Sequence, residues 1–122
     1  MPKIMVVDDE ENLLVLVKAI LEQEGYEVIT AENGKECLEK LKQVKPDLIL
    51  MDMMMPGMTG KETLEKIRSD PKTKNLKVAF LTVARLSEVG KKDLKSMGVI
   101  DYITKPFNNT DLVNRVKKAL QQ

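Results

Sequence analysis

The sequence contains no histidine and no tryptophan, and it has a single cysteine among 122 residues. Without histidine, the chain cannot form a Ser/His or Cys/His nucleophile pair or a common zinc site, and it cannot carry a phosphohistidine. Cys37 has no partner for a disulfide within the chain, which favours a cytoplasmic protein, and its helical register predicts a small side chain that is at least half-buried. Chemistry at any site of this chain must therefore use carboxylates, hydroxyls and lysines.

The chain also lacks a charge excess and long apolar runs. It has 20 Lys and Arg against 19 Asp and Glu, a net charge of +1, so it has no basic field to hold nucleic acid or an anionic membrane. No apolar run approaches the ~20 residues of a membrane-spanning helix, and the N-terminus begins directly with a strand-like segment. We expect a soluble, unexported protein with no direct contact to nucleic acid or membrane.

Glycine and proline are few, at six and five residues, in a sequence that is 43% hydrophobic and 32% charged. This composition is typical of a compact globular protein and not of a disordered one. The length suits one domain that can bury a core without disulfides or a structural metal, and no Pro/Gly/Ser-rich stretch separates two domains. We expect a single domain over residues 1–122.

Five short apolar runs alternate with five longer amphipathic or polar segments, a pattern typical of repeated βαβ units with a parallel sheet. The predicted strands are Lys3–Val7, Glu27–Thr30, Leu48–Met51, Val78–Leu81 and Tyr102–Thr104. The predicted helices are Glu11–Glu24, Lys35–Val44, Lys61–Arg68, Leu86–Met97 and Asp111–Leu120. The first helix is predicted to end at Gly25 and to bury a stripe of Leu13, Leu16, Val17, Ile20 and Leu21.

Polar side chains follow four of the predicted strands. Asp8, Asp9 and Glu10 follow the first, Asp52 the third, Thr82 the fourth, and Lys105 and Pro106 the fifth. Because ligands of open parallel sheets bind beyond the carboxyl ends of the strands, these side chains should share one site. Three close carboxylates repel each other unless protons or a cation relieve them, and Mg²⁺ is the hard cation that prefers such oxygens. A hydroxyl and a lysine beside them would neutralise charge on a transferring phosphoryl group.

Four segments carry a resemblance to a known family: Val6–Glu10 (VVDDE), Leu50–Gly60 (LMDMMMPGMTG), Leu81–Thr82 and Tyr102–Phe107 (YITKPF). In order and spacing they resemble the receiver domains of bacterial and archaeal response regulators, over essentially the whole chain. The resemblance implies an α/β fold, a doubly wound five-stranded parallel sheet in strand order 2-1-3-4-5, packed as a flavodoxin-like (CheY-like) three-layer sandwich.

The resemblance also implies roles for the residues at the strand ends. Asp52 would be the phosphoacceptor, and Lys105 would pair with the phosphate. Mg²⁺ would be held by Asp52, Asp9 and the carbonyl of Met53, with Asp8 acting mainly through water. Thr82 and Tyr102 would be the switch residues that reshape the surface of the fourth helix, fifth strand and fifth helix, and the bond before Pro106 would be cis.

The function implied is that of a signalling switch and not of an enzyme that turns over a substrate. A sensor histidine kinase or histidine phosphotransfer protein would pass its phosphoryl group to Asp52, and the switched monomer or phosphorylation-dependent dimer would signal to a downstream protein. Two alternatives remain. One is an aspartyl-nucleophile phosphatase or phosphotransferase, which usually has an acid where this sequence has Met54. The other is a receiver-like scaffold that is never phosphorylated.

The sequence departs from the usual family pattern at Val83 and at Val99-Ile100, where Val99-Ile100 replaces a more usual small-then-acidic pair before Asp101. Val83 replaces a very small residue after Thr82, so its branched side chain is expected to narrow the path to the phosphorylation site. Met54 lies two residues beyond the acceptor and offers no polar group to orient an attacking water, which predicts a comparatively long-lived phosphorylated state. The cluster of methionines around Asp52 is interpreted as core and loop packing, because methionine is chiefly an adaptable filler.

Overall fold

One five-stranded parallel sheet organises the chain. The computed structural model describes residues 1–83 and 88–122, without the side chains of residues 88, 89 and 91. The strands are β1 Lys3–Val7, β2 Glu27–Ala31, β3 Leu48–Met51, β4 Val78–Thr82 and β5 Val99–Thr104. They pair in the order β2-β1-β3-β4-β5, so the predicted α/β class and strand order are confirmed.

The predicted strand bounds are confirmed except at three ends. β2 and β4 each run one residue further than predicted. β5 begins at Val99, three residues before the predicted Tyr102, and Val99 pairs with Val78 across an irregular register. The polar Asp101 favoured a loop in the sequence, but in the strand its carboxylate lies 2.9 Å from Nη1 of Arg115 on the covering helix. This ion pair offsets the cost of placing a charged, partly buried residue within β5.

The described chain contains five helices: α1 Glu11–Gln23, α2 Gly34–Leu41, α3 Gly60–Ser69, α4 Glu88–Ser96 and α5 Asn109–Gln121. Side-chain caps begin α3 and α5, because Thr59 forms a reciprocal capping box with Glu62 and Asn108 accepts from two backbone N–H groups. α2 ends three residues before the predicted Val44, where turn hydrogen bonds close the helix. Of the predicted fourth helix, Leu86 lies outside the described residues.

The helices cover both faces of the sheet and make three layers. On one face, β1 contributes Ile4 and Val6 to a buried cluster that includes residues of α1 and α5. On the other, Met5 and Val7 join a cluster that includes residues of α2, α3 and α4. This alternation follows from the period of two along a strand. None of the helices that the structure describes combines the length and apolar character needed to span a bilayer.

The predicted apolar stripe of α1 is wrong at two positions, because it includes Leu16 and omits Leu14. Leu14, Val17 and Leu21 are the buried residues of this helix, whereas Leu16 is 47% exposed. Leu16 lies about 100° around the helix from Val17, at the margin of the face that meets the sheet. The predicted end is confirmed, since Gly25 has φ +90°, the left-handed conformation that glycine adopts without a steric penalty.

Arg68 ties the end of α3 to two neighbouring loops, a role that the sequence did not reveal. Its Nε donates to the carbonyl of Met97 at 2.6 Å, and its Nη1 donates to the carbonyls of Leu76 and Lys74 at 2.7 and 2.9 Å. Nη2 reaches the carbonyl of Gly98 at 3.4 Å. Burial lowers the pKa of this guanidinium. The end of α4, the start of β5 and the loop before β4 therefore share one cationic anchor.

Candidate functional site

The carboxyl edge of the sheet brings together Asp8, Asp52, Thr82 and Lys105. Hydrogen bonds extend the sheet past the strand ends, because the N–H of Asp52 donates to the carbonyl of Val7 at 2.9 Å and the N–H of Lys105 donates to that of Thr82 at 2.8 Å. Residues that lie far apart in the chain are thereby held at fixed positions along one edge, as expected for a parallel sheet.

Three carboxylates form the acidic part of the site. Asp8 is fully buried and Asp52 nearly so, while Asp9 is exposed. One oxygen of each lies within 4.8 Å of the others. At this spacing the charges repel each other strongly in a partly buried environment.

Local turns orient two of these carboxylates. Oδ1 of Asp8 accepts a hydrogen bond from the N–H of Glu10 at 2.9 Å, and Oδ1 of Asp52 accepts one from the N–H of Met54 at 3.1 Å. Both are bonds from residue i+2 to the side chain of residue i, the pattern of an Asx turn. The sequence analysis missed these donors, although an aspartate directly after a strand was an available signal. The turns leave the second oxygen of each carboxylate directed at other groups.

Lys105 supplies the cation of the site. Its side chain is 10% exposed, and its Nζ lies 2.6 Å from Oδ2 of Asp8 and 3.5 Å from Oδ2 of Asp52. The peptide bond between Lys105 and Pro106 is cis, as the resemblance implied. One lysine therefore partly neutralises two buried carboxylates.

The pKa of the Asp52 carboxyl is raised, chiefly by burial. The hydrogen bond from Met54 and the charge of Lys105 oppose this shift, while the charges of Asp8 and Asp9 add to it. The ammonium group and the hydrogen bond therefore do not offset the effect of burial on this pKa. A further cation at this edge would favour the ionised form of Asp52.

Thr82 and Tyr102, the predicted switch pair, lie in the neighbouring strands β4 and β5. Thr82 is buried at the end of β4. Tyr102 is half-buried in β5, where its ring stacks on that of Phe80 with centroids 6.5 Å apart. Burial raises the pKa of the Tyr102 phenol. Tyr102 packs against the buried cluster that contains Phe80 of β4 and Leu94 of α4.

Met53 and Gly60 connect the site to α3. The carbonyl of Met53 accepts a hydrogen bond from the N–H of Gly60 at 3.0 Å; a carbonyl oxygen has a second lone pair, so its role as a Mg²⁺ ligand stays a prediction. A Cβ at Gly60 would lie 2.4 Å from the carbonyl oxygen of Asp52 and 2.9 Å from Cε1 of Phe80. Only glycine lets α3 begin this close to Asp52, a requirement that the sequence analysis missed.

The cluster of Asp8, Asp9 and Asp52 could hold a metal ion. All three ligand atoms are carboxylate oxygens, which suit a hard divalent cation that takes oxygen ligands and retains waters. An ion bound here would relieve the repulsion that the lysine leaves. The chemistry of the donor set therefore fits the predicted cofactor class.

Comparison with known proteins agrees with this geometry. The sequence profile of the response regulator receiver domain matches residues 4–117. The phosphate regulon transcriptional regulatory protein PhoB of Rhizobium meliloti (strain 1021) is 41% identical over 122 residues, which are all of this chain and 53% of that protein. The chain spans about half the length of the curated relatives it matches.

Solved structures show the same fold. Chemotaxis protein CheY4 of Vibrio cholerae has a TM-score of 0.90 and 33% identity, with 98% of each chain covered. Response regulator protein TrrA of Thermotoga maritima, solved in complex with Mg²⁺-BeF, has a TM-score of 0.82 and 41% identity, with 98% of this chain and 99% of that chain covered. The chain therefore belongs to the response regulator receiver domains of two-component systems, and its fold is CheY-like.

Proposed function

We propose that this receiver domain accepts a phosphoryl group on Asp52 from a phosphohistidine of a sensor histidine kinase or a histidine phosphotransfer protein. The observation that carries this proposal is the position of the Asp52 carboxylate, which lies 3.5 Å from the ammonium group of a largely buried lysine and within 4.8 Å of two other carboxylates. The arrangement supplies a nucleophile, a cation for phosphoryl oxygens and an oxygen-rich site for a metal.

In the transfer, a carboxylate oxygen of Asp52 bonds to phosphorus while the bond between phosphorus and the histidine nitrogen of the donor breaks. The leaving nitrogen keeps the electron pair of that bond. The Met54 N–H holds Asp52 in orientation from Oδ1, and Lys105 lies near Oδ2, where it can neutralise an incoming phosphoryl oxygen. Mg²⁺ held by Asp8, Asp9 and Asp52 would supply further neutralisation of phosphoryl charge.

The donor protein would contact exposed apolar side chains near this edge of the sheet. Val15, Leu16, Met54 and Val83 are exposed large hydrophobic residues. Met54 and Val83 follow the ends of β3 and β4. Val15 and Leu16 lie in the first half of α1, which begins directly after the acidic residues that follow β1. A phosphoryl donor must approach this edge, and apolar contacts would contribute affinity for it.

We further propose that phosphorylation acts through Thr82 and Tyr102 on the surface of α4, β5 and α5, which a downstream protein reads. Thr82 ends β4, and Tyr102 lies in the neighbouring β5 opposite Phe80, two residues before Thr82 in β4, so a shift at Thr82 has a short path to Tyr102. The net charge of +1 gives no bulk electrostatic basis for direct nucleic-acid binding, so the downstream partner that we propose is a protein, and we place both in the cytoplasm.

This function is a switch and not substrate turnover. An aspartyl-nucleophile phosphatase usually has an acid two residues beyond its nucleophile, and here that residue is Met54, whose side chain is 64% exposed. A scaffold that is never phosphorylated would not require a buried lysine between two buried carboxylates, an arrangement that is costly to maintain.

The test is incubation of the chain with acetyl phosphate and Mg²⁺, followed by intact-mass measurement. We expect one added phosphoryl group in the native protein and in Asp93→Asn, which changes an exposed aspartate of α4. We expect none in Asp52→Asn or when EDTA replaces Mg²⁺. Equal modification of Asp52→Asn, or no Mg²⁺-dependent modification of the native protein, would contradict the proposal.

A further inference from the structure

A groove lies at the opposite end of the molecule from Asp52, between the C-terminal ends of α2 and α3. Two adjoining cavities of about 450 and 170 Å³ share Leu41, Lys42, Lys72 and Thr73 among their lining residues. The groove includes the loops that lead into β3 and β4, so it lies at the amino edge of the sheet. It has no residue in common with the phosphorylation site.

The interior of the groove is partly apolar. Leu38, Leu41 and Val44 are half-buried along its α2 side, and Leu76 is buried beside them. A volume of this size holds two or three aliphatic or aromatic side chains of a ligand. Removing their apolar surface from water would contribute roughly 25 cal/mol for each Å² buried.

The rim of the groove is basic. Four lysines and one aspartate line it: Lys42, Lys45, Lys66, Lys72 and Asp70. All five are exposed. Lys42 forms a 3.4 Å ion pair with Glu39, and Lys66 weakly attracts Glu62 one turn before it. Within the described part of the chain, the salt bridges found include none at Lys45, Lys66 or Lys72.

This local excess contrasts with a chain whose charges almost balance, at 20 Lys and Arg against 19 Asp and Glu. Asp70 repels an anionic ligand, but four lysines against this one aspartate still leave the rim with a charge excess of +3. A basic rim around an apolar interior is complementary to a segment that places acidic residues beside apolar ones.

We propose that this groove between α2 and α3 binds an acidic, amphipathic segment of a partner protein. Its apolar side chains would fill the space above Leu41 and Leu76, and its carboxylates would pair with Lys66 and Lys72. The basic rim would attract phosphates as well as carboxylates, but the apolar interior matches the aliphatic side chains of a protein segment and not a phosphate backbone. Because the groove is at the other edge of the sheet, binding there leaves Asp52 accessible.

The test uses a display library of random 12-residue peptides selected on the immobilised native chain. Peptides selected on the native chain are then compared on Lys66→Glu/Lys72→Glu and on the control Lys35→Glu/Lys61→Glu. The control makes the same change in net charge at exposed lysines in the first turns of the same two helices. Circular dichroism verifies that both variants are folded.

We expect the selected peptides to combine Asp or Glu with Leu, Ile or Phe, and to lose about tenfold in affinity on Lys66→Glu/Lys72→Glu, because reversing exposed charges removes two attractions and adds two repulsions. Affinity for the control and for Asp52→Asn should change by less than about twofold. Equal retention on both double variants, or selected peptides that are basic or wholly polar, would overturn the inference.

A duplex DNA of random sequence is the second probe. If this DNA competed with the peptides for the native chain and no longer bound Lys66→Glu/Lys72→Glu, the partner would be a nucleic acid and the proposal of a protein segment would be wrong. No enrichment of any peptide above background would also overturn the proposal. Since Asp52→Asn should behave as the native chain does in these assays, the result is separate from the outcome of the phosphorylation test.

Discussion

Lys105 is held more closely by Asp8 than by Asp52. Its Nζ lies 2.6 Å from Oδ2 of Asp8 and 3.5 Å from Oδ2 of Asp52. The buried Asp8 thus fixes the lysine, while the Asp52 carboxylate keeps only its looser contact to that cation. If Asp52 were tightly paired with Lys105, its carboxylate would be a weaker nucleophile, because the ammonium group would occupy the oxygen lone pairs that attack phosphorus.

Replacing Lys105 by methionine should lower the free energy of unfolding in EDTA by about 3 kcal/mol, since two buried carboxylates lose their cation. Urea denaturation measures the change. The same substitution in an Asp8→Asn background should cost clearly less, and Mg²⁺ should restore part of the loss. An identical cost in both backgrounds would show that Asp8 and Lys105 are not coupled.

Substituting Met54 by asparagine should shorten the lifetime of the phosphorylated state about tenfold, because an amide can orient the attacking water and a thioether cannot. The Met54 side chain is 64% exposed, so the change should not affect folding. Decay is followed by intact mass after removal of the phosphodonor. Met54→Leu is the control and should keep the native lifetime; equal lifetimes for native and Met54→Asn would refute the idea.

Gly60→Ala should lower the free energy of unfolding by about 3 kcal/mol and impair phosphorylation, because the added methyl would lie 2.4 Å from the carbonyl oxygen of Asp52. Gly57→Ala is the matched comparison. Gly57 has φ +78° but no atom within 4 Å of an added Cβ, so only backbone strain of about 1 kcal/mol is expected. Thermal denaturation ranks the two; a larger cost at Gly57 would contradict the packing argument.

Cys37 should make the protein less stable at high pH. Burial raises the pKa of its thiol from 9.0 to about 12, so in that interval the folded chain keeps a proton that the unfolded chain loses. Its contribution to stability is complete below pH 9 and declines as the pH rises toward 12. The difference in unfolding free energy between native and Cys37→Ala should fall across this window. A difference independent of pH would contradict the burial of the thiol.

The sheet could be predicted closely because its signal is local. The strand Leu48–Met51 is buried at every position, and its residues are all apolar in the sequence. The start of β5 could not be predicted in the same way, because the ion pair that Asp101 makes within this strand is with Arg115, 14 residues later in the chain. The prediction that Leu16 is buried was wrong because α1 has more apolar residues than its sheet-facing side can bury.

The site was predictable to the extent that strand order and strand ends determine it. The alignment of Asp8, Asp52 and Lys105 at one edge follows from parallel strands. The hydrogen bonds that the N–H groups of Glu10 and Met54 donate to Asp8 and Asp52 depend on backbone geometry that residue type alone does not specify. The same is true of the close approach of Gly60 to the carbonyl of Asp52. The anchor at Arg68 depends on carbonyl groups that every residue has, so no sequence pattern could indicate it.

That anchor determines how α4 can move. Arg68 fixes the carbonyls of Met97 and Gly98, which follow the last turn of this helix, at the end farthest from Thr82. We expect any displacement of α4 to be a rotation about this point, with an amplitude that increases toward Glu88. A protein that contacts the first turn of α4 would thus detect a larger motion than one that contacts its last turn.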